Sequence, residues 1–239
     1  MNVQRGTVIT PTEPEVLLTE IVGRMARASN TTLLGRAADG SLWIYKPVAG
    51  EQQLWDFPWK SLAVREVLAY QLSEALGLGL VPETRMADGP YGRGSAQRFL
   101  EEDFDFDHRP LFQPGLDESL WPFAVFDIIT NNADRKLGHL LSETGNGRLW
   151  AIDNGLTFHA APKLRTVLWG LAGQRVPQPL LDSLDKFRSA GLGQFADTIE
   201  SILSRAEAEA FVARVLGLTE DPVHPEPPSD RPPLPWPLW

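Results

Sequence analysis

The sequence predicts a two-lobed α+β protein, in which a small antiparallel β-sheet with one helix precedes a mostly helical second lobe. Three observations support this fold class. Residues 19–46 contain three short apolar runs separated by turn residues, which is typical of a strand meander. Residues 61–76 repeat apolar side chains at helical spacing, and residues 177–220 do so over most of their length.

Composition and charge limit the class of protein. With 239 residues and 43% apolar side chains, the chain can bury a substantial core, and because it contains no cysteine this core needs no disulfides. Its formal net charge of -9 argues against binding to nucleic acid or to an anionic membrane surface. Its apolar runs are too short to cross a bilayer, and its N-terminus does not resemble a secretory signal. We therefore expect a soluble cytoplasmic protein with no integral membrane association.

The first lobe begins with three predicted strands, at residues 20–28, 32–37 and 41–46. The dipeptide Asp39-Gly40 between the last two is typical of a tight hairpin. In the third strand, the period of two places Lys46 on the same face as Leu42 and Ile44, which we expect to point inward. A lysine that ends an inward-facing row needs a partner, because a buried and unpaired ammonium is costly.

A helix follows at residues 61–76, with Ser61 as its predicted cap and Gly77 as its end. Glu66 lies one turn into this helix, beside its apolar stripe. An alternative stays open for the first of the three strands, which also suits a helix begun by a capping box at residues 12–15.

The helices of the second lobe also have local signals. Ser119 is the predicted cap of a core helix that accommodates Pro122 in its first turn, where backbone donors lack partners in any case. The final helix is predicted to begin with the capping box Ser204-x-x-Glu207 and to end near Gly217.

A dense polar run, 131–139, follows the core helix and leads into a predicted hairpin whose turn centres near Asn146. Symmetric pairing about that residue would make His139 face Asp153. Cross-strand neighbours lie close enough for both side chains to ligate one metal ion.

Two segments lie outside this pattern. The Pro-rich tail, 221–239, favours polyproline conformations, so we expect either a flexible arm or a strap held on the domain through Trp236 and Trp239. Such a tail could also bind a protein partner. The aromatic loop 53–59 is interpreted as packing rather than substrate recognition.

The order of these parts is the order that phosphoryl transfer from ATP requires. A lysine ends a strand, a glutamate lies on the next helix, a polar loop follows a core helix, and an aspartate precedes Asn-Gly. In this chemistry the lysine holds phosphate oxygens, a carboxylate orients the attacking hydroxyl, and further ligands hold magnesium. Each residue alone has an ordinary explanation, such as a surface lysine or a turn, but their shared order favours the functional one.

Five motifs carry a resemblance to a known group of enzymes. They are Tyr45-Lys46-Pro47, Arg65-Glu66, the run 76–82, the run 131–136 with His139, and Ile152-Asp153-Asn154-Gly155. With them, the sequence resembles the atypical kinases related to phosphatidylinositol 3- and 4-kinases, including an actinobacterial branch, and more distantly the HipA-type toxin kinases. The resemblance implies a protein-kinase-like fold with an N-lobe at 1–100, a C-lobe at 101–220 and the tail at 221–239.

The resemblance also implies roles for individual residues. The nucleotide-binding residues would be Ser29, Asn30, Thr31, Lys46, Glu66, Phe99, Leu100 and Glu101. Asp134 would be the catalytic aspartate, and Lys136 could neutralise charge on the transferred phosphoryl group. Asp153 would ligate the metal together with His139, which stands where such kinases usually place an asparagine. Because imidazole suits manganese better than magnesium, the implied cofactors are ATP with Mg²⁺ or Mn²⁺.

The predicted function is therefore a metal-dependent kinase that moves the γ-phosphate of ATP to a hydroxyl of an unidentified acceptor. The acceptor could be a protein, including the chain itself, a small molecule or an inositol lipid, and the basic strip Lys163, Arg165 and Arg175 weakly favours an anionic one. Two alternatives stay open. The unusual His139 also suits a nucleotide-binding pseudokinase with a regulatory or scaffolding role, and a nucleotidyl transferase could use the same fold.

Overall fold

A closed five-stranded barrel forms the first part of the molecule. The computed structural model describes residues 14–25, 30–108 and 118–238. The strands are β1 (Val16–Arg24), β2 (Leu33–Ala37), β3 (Leu42–Pro47), β4 (Thr84–Gly89) and β5 (Gly92–Arg98). They follow the order β1-β2-β3-β5-β4. The predicted meander is β1 to β3, but the sheet is not purely antiparallel, because β1 pairs in parallel with β4. This pairing removes the two exposed edges that an open sheet would have.

The alternation of β3 is opposite to the predicted one. Trp43 and Tyr45 are buried inside the barrel, where they pack with Leu18. Lys46 lies on the other, partly exposed face, together with Leu42. Because two aromatic rings remove more apolar surface from water than the aliphatic row does, they decide which face turns inward. Lys46 is thereby placed outside the barrel, where its side chain reaches neighbouring elements.

The helix α1 (Leu62–Ala75) connects the barrel to the helical part. Ser61 stands at its N-cap but does not cap it, since its hydroxyl donates to a loop carbonyl. The carboxylate of Glu51 takes this role and accepts the backbone N–H of Ala63 at 3.1 Å. The helix ends as predicted before Gly77, whose φ of 68° favours glycine.

α1 contributes to two cores at once. Val67 packs with Met86 of the barrel, whereas Leu68 and Leu72 belong to the core of the helical part. Residues on this helix are therefore held firmly at the boundary between the two parts.

Four further helices build the second part: α2 (Trp121–Thr130), α3 (Gln178–Ala190), α4 (Leu192–Ile202) and α5 (Arg205–Glu220). Aromatic rings fill its centre, where the ring of Phe195 lies 5.5 Å from that of Phe211 and 6.0 Å from that of Phe187. None of the helices in the described ranges is long and apolar enough to cross a membrane.

The helix ends agree in part with the sequence signals. Pro122 lies in the first turn of α2, while Ser119 belongs to the short turn before it rather than to the cap. Ser204 caps α5 by accepting the backbone N–H of Glu207 at 3.2 Å. This helix continues past Gly217, the predicted end.

The Pro-rich tail lies along the helical part as a strap. Its backbone carbonyls accept hydrogen bonds from the body of the protein. Near its start, Pro222 O accepts from Val176 and His224 O accepts from Gly173. Further along, Pro233 O accepts from Trp169 and Leu238 O accepts from Leu137. Trp236 does not anchor it, because this side chain is 88% exposed, and Trp239 lies outside the described residues. The anchors are backbone groups and the buried His224.

Candidate active site

A cavity of about 580 Å³ lies between the barrel and the helical part. Lys46 and Thr31 line it from the barrel side, and Asp134, His139 and Asp153 line it from the other side. The tertiary structure thus brings together eight of the predicted site residues, which are Asn30, Thr31, Lys46, Glu66, Asp134, Lys136, His139 and Asp153.

Lys46 joins the two sides of this cleft. Its ammonium donates to Glu66 Oε1 at 2.6 Å and also to Asp153 Oδ1. Burial alone would lower the pKa of Lys46, but the Asp153 and Glu66 carboxylates outweigh it and raise the pKa above its usual value. The second oxygen of Glu66 accepts the backbone N–H of Asn154 at 3.0 Å, so this carboxylate is held from two directions. A charged lysine is therefore fixed at the centre of the cleft.

The hairpin that carries His139 and Asp153 is shifted by one residue from the predicted register. Its strands, β6 (Leu140–Ser142) and β7 (Leu149–Ala151), pair Leu140 with Ala151, so His139 is opposite Ile152. The backbone N–H of Ile152 donates to His139 O at 3.0 Å. Asp153 has a φ of 56°, and with this backbone its carboxylate Oδ2 lies 3.4 Å from His139 Nε2.

Burial and charge act in opposite directions on these two residues. Burial lowers the pKa of His139 to about 4, although the neighbouring Asp153 carboxylate opposes the shift. Burial alone would raise the pKa of Asp153, but Lys46 and His139 hold it below its usual value. At neutral pH the site therefore offers a carboxylate beside a neutral imidazole.

This pair fits a divalent ion that would be shared with a bound polyphosphate. A carboxylate oxygen and a neutral imidazole nitrogen are both competent metal ligands, and this combination suits Mn²⁺ better than Mg²⁺. Within the described ranges, no three His, Asp or Glu side chains form a complete metal site. The remaining ligands would have to be phosphate oxygens and water.

Asp134 is a further carboxylate that lines the cleft. Its Oδ2 lies 3.2 Å from Lys136 Nζ, and its backbone N–H donates to the Asn132 side chain at 2.9 Å. Burial raises the pKa of Asp134 to about 6, with Lys136 partly opposing the shift. A carboxylate with a pKa in this range can take up a proton near neutral pH.

A second layer behind the cleft holds the polar loop in place, and sequence reasoning missed most of it. Arg135 is fully buried and pairs with Asp127 rather than with its neighbour Asp134. It also donates to Asn154 Oδ1 at 2.8 Å and to Ile152 O at 3.0 Å. One guanidinium therefore connects the core helix, the polar loop and the segment that carries Asp153. Asp127 had a signal in the sequence, since it is an acidic residue inside an apolar helix.

The predicted nucleotide-binding residues are distributed unevenly. Asn30 and Thr31 line the cleft, while Ser29 lies outside the described residues. Phe99, Leu100 and Glu101 follow β5 and are not among the residues that line this cavity. The N–H of Phe99 donates to Leu42 O at 3.0 Å and the carbonyl of Glu101 accepts from Thr144 at 2.9 Å, so two of their backbone groups are used internally.

The mouth of the cleft contains residues that the sequence had suggested for other roles. In the loop 53–59, Phe57 is buried and packs as expected, but Trp55 is 93% exposed and lines the cleft together with Trp236. Of the basic strip, Arg165 lines the cleft, whereas Lys163 pairs with Asp56 at 2.7 Å.

The Nε of Arg165 is buried and has no hydrogen-bond partner in the described part of the chain. A buried guanidinium nitrogen of this kind can receive an anionic group from a bound molecule.

Comparison with known proteins gives a relative that is similar in sequence over most of the chain. No model of a known protein family matches the chain. Protein Rv2133c of Mycobacterium tuberculosis (strain ATCC 25618 / H37Rv) is 37% identical over 256 residues, which cover 92% of this chain and 91% of the relative.

Several solved kinase structures are similar in fold. The Helicobacter pylori proinflammatory kinase CtkA has a TM-score of 0.55 at 13% identity, over 88% of this chain and 94% of CtkA. The Golgi casein kinase with Mn and ADP bound has a TM-score of 0.53 at 11% identity, over 88% and 73% of the two chains. Hydra Fam20 with sugar has a TM-score of 0.52 at 12% identity, over 88% and 85%. The chain therefore has a mixed α+β, kinase-like fold, and the more specific relation to phosphatidylinositol kinases stays a prediction.

Proposed function

The chain belongs to the family of Protein Rv2133c, and from the arrangement of its cleft we propose that it transfers the γ-phosphate of ATP to a hydroxyl group. The observation that carries this proposal is the position of Lys46, whose ammonium is held between Glu66 and Asp153 inside the cleft. A lysine paired with a glutamate of the following helix, beside a metal-binding aspartate, is required for phosphoryl transfer in protein kinases. The kinase-like fold of the solved neighbours supports the same reaction class.

In the proposed reaction, Lys46 binds oxygens of the nucleotide phosphates and Glu66 keeps its ammonium in place. Asp153 and His139 would hold the divalent ion, which neutralises phosphate charge when it is bound. Asp134 accepts the proton of the attacking hydroxyl, and its raised pKa suits this role. Lys136, within 3.2 Å of Asp134, stabilises negative charge on the transferred group.

The acceptor would enter at the mouth of the cleft, between Trp55 and Trp236. Two tryptophans so exposed at one opening are unusual for a protein surface, and aromatic rings there suit contact with a flat or partly apolar acceptor. Arg165, whose Nε has no hydrogen-bond partner among the described residues, would bind an anionic group on that acceptor. We therefore expect an anionic acceptor, which a protein, a small molecule or an inositol lipid could provide.

The direct test is ATP turnover by the purified full-length chain with Mg²⁺ or Mn²⁺, followed by mass spectrometry of any modified product. Asp134→Asn should lower the rate by about 10²- to 10⁴-fold, because it removes the proton acceptor and keeps the shape. Asp185→Asn, an exposed aspartate on α3, is the matched control and should leave the rate unchanged. Equal turnover by Asp134→Asn and the parent would contradict the catalytic assignment.

A second candidate is a nucleotide-binding pseudokinase. It is favoured by His139, whose neutral imidazole lies 3.4 Å from the Asp153 carboxylate and is a poor ligand for Mg²⁺. This candidate predicts that ATP raises the melting temperature while no product forms with either metal. In that case His139→Asn, which introduces the ligand usual in related kinases, should create Mg²⁺-dependent turnover. Mass spectrometry also separates kinase from nucleotidyl transferase, since the latter adds AMP rather than phosphate.

A further inference from the structure

A second cavity, of about 370 Å³, is lined by residues of α2, α5 and the tail strap. The tail strap forms one side of it, and the cavity is open to solvent. Its apolar wall is formed by Ile128, Ala160, Pro162, Leu164, Trp169, Ala210, Ala213, Pro225 and Pro228. Its polar lining residues are Asn131, Arg214, Glu226 and Arg231. A cavity of this size and composition suits a small, mostly apolar molecule.

Arg214, on α5, brings a positive charge to this cavity. The Glu207 carboxylate favours that charge from a distance, but no carboxylate in the described part of the chain forms an ion pair with Arg214. Its Nε donates to Ile129 O at 2.9 Å and its Nη1 donates to His159 O at 3.3 Å. Its Nη2 is buried and has no hydrogen-bond partner among the described residues. A buried guanidinium bound only by carbonyls is costly unless an anion completes it.

Arg231, on the strap, lines the same cavity. Its Nη1 is 3.1 Å from Asp230 Oδ1, but its Nε is buried without a described partner. Two guanidinium groups from different elements therefore each leave one N–H unsatisfied in this region. Glu226 is the one acidic side chain among the residues that line the cavity. Its Oε1 lies close to Gly173, where an added Cβ would be 2.9 Å away.

We propose that this cavity binds an amphipathic anion, with its carboxylate or phosphate head on Arg214 and Arg231 and its apolar body against Leu164 and Trp169. The open guanidinium N–H groups would receive the head group, and charge-assisted hydrogen bonds of this type are stronger than neutral ones. The proline residues of the strap would cover the body from the outside.

The position of the site gives it a connection to the cleft. Asn131 lines the cavity and is the first residue of the polar run 131–139, and its side chain donates to His159 O at 2.9 Å and to Ala161 O at 2.8 Å. A bound anion would thus contact the base of the loop that carries Asp134. The binding proposal itself does not depend on phosphoryl transfer, because it can be tested in the absence of nucleotide.

The experiment titrates the full-length protein with octanoate, octyl phosphate, octanol and inorganic phosphate, by calorimetry and by thermal shift. We expect at least one of the two amphipathic anions to bind and raise the melting temperature. Octanol should bind about 10- to 100-fold more weakly, because it lacks the charge for the two arginines. Inorganic phosphate should also bind more weakly, because it lacks the apolar body. The two anions distinguish a carboxylate from a phosphate ligand.

Two variants assign the binding to this cavity. Arg231→Gln should weaken the anion about tenfold or more, while Arg188→Gln, an exposed arginine on α3, should not change it. Ala210→Leu should also weaken binding, because it fills the cavity without removing charge. Circular dichroism confirms that each variant is folded.

Three results would overturn the proposal. One is that no amphipathic anion binds with a Kd below about 1 mM. Another is that octanol or inorganic phosphate binds as well as the anions do. The third is that neither Arg231→Gln nor Ala210→Leu changes the affinity.

Discussion

The cleft and the layer behind it contain the same kinds of charged residue but differ in how completely each charge is paired. In the layer behind, Asp127 is fully buried, and its carboxylate accepts hydrogen bonds from Asn132, Arg135 and Thr166. In the cleft, the raised pKa of Asp134 shows a carboxylate that is not fully compensated. A buried network whose polar groups all have hydrogen-bond partners holds one geometry. Polar groups that lack such partners are available to bind a ligand.

A second buried pair extends the same layer. Arg65 of α1 is fully buried and donates to Glu207 Oε1 at 2.6 Å and to Thr157 O at 2.6 Å. Because Glu207 is also bound by Ser204, the start of α5 is tied to α1 through this carboxylate. Neighbouring ion pairs in this protein therefore divide into pairs that stabilise the fold and pairs that are available for chemistry.

The largest effect on stability is expected for Asp127→Ala. The change leaves the Arg135 cation buried without its carboxylate, which costs about 3 to 5 kcal/mol. Urea unfolding followed by circular dichroism measures it, with Asp185→Ala as the exposed control within about 0.5 kcal/mol of the parent. A loss below about 1 kcal/mol would mean that water or another group compensates Arg135.

Lys46→Met should lower the turnover rate strongly and change the stability of the fold little. Removing the ammonium deprives the phosphates of a positioned charge, so turnover should fall by about 10²- to 10³-fold. Because the cleft is open to water, the free energy of unfolding should change less than in Asp127→Ala. Parallel measurements of turnover and urea unfolding test this difference. A larger loss of stability in Lys46→Met than in Asp127→Ala would contradict the assignment of Lys46 to the chemistry.

The pH dependence of turnover should follow Asp134. Because its pKa is raised to about 6, the carboxyl group is protonated below that pH and cannot accept a proton. The rate should therefore rise with pH through about 6 and level off above it, with about a tenfold loss one unit below. Lys136→Gln should move this midpoint upward, since Lys136 lowers the pKa of Asp134. A profile without a transition in this range would remove Asp134 as the base.

The smallest effect is expected for Ser204→Ala. The change removes the N-cap of α5 and one hydrogen bond to Glu207, and loss of such a cap costs about 1 kcal/mol. Turnover should stay unchanged because Ser204 lies behind the cleft. Measurement of the melting temperature detects the loss, and a change in rate would show that the two layers are more tightly coupled than proposed.

Local features of the fold were predictable, because their causes lie within a few residues. Gly77 ends α1 and Ser204 caps α5 as their local signals indicate. Ser61 failed as a cap because Glu51, ten residues before it in the chain, reaches the same backbone donors. Local signals therefore give the place of a helix end more reliably than the group that satisfies it.

The candidate site was predictable as a set of residue types in order, but not as a geometry. The pairing of Lys46 with Glu66 follows from a strand end and a helix turn that share one boundary. The approach of His139 to Asp153 depends on a register one residue away from the predicted one, together with the positive φ of Asp153. Exposed Trp236 reaches the cleft mouth along a strap whose path no local pattern specifies.

The sequence by itself determined the α+β class, the approximate positions of the helices and the order of the charged residues, since these depend on side-chain periodicity and on local signals. Only the tertiary structure decided how charge is distributed. Closure of the barrel turned Trp43 and Tyr45 inward and placed Lys46 toward the cleft. In the folded chain Arg135 forms its buried ion pair with Asp127, and Asp134 lines the cavity. The pKa of a carboxylate depends on desolvation and on partners distant in the chain, and these exist only once the chain has folded.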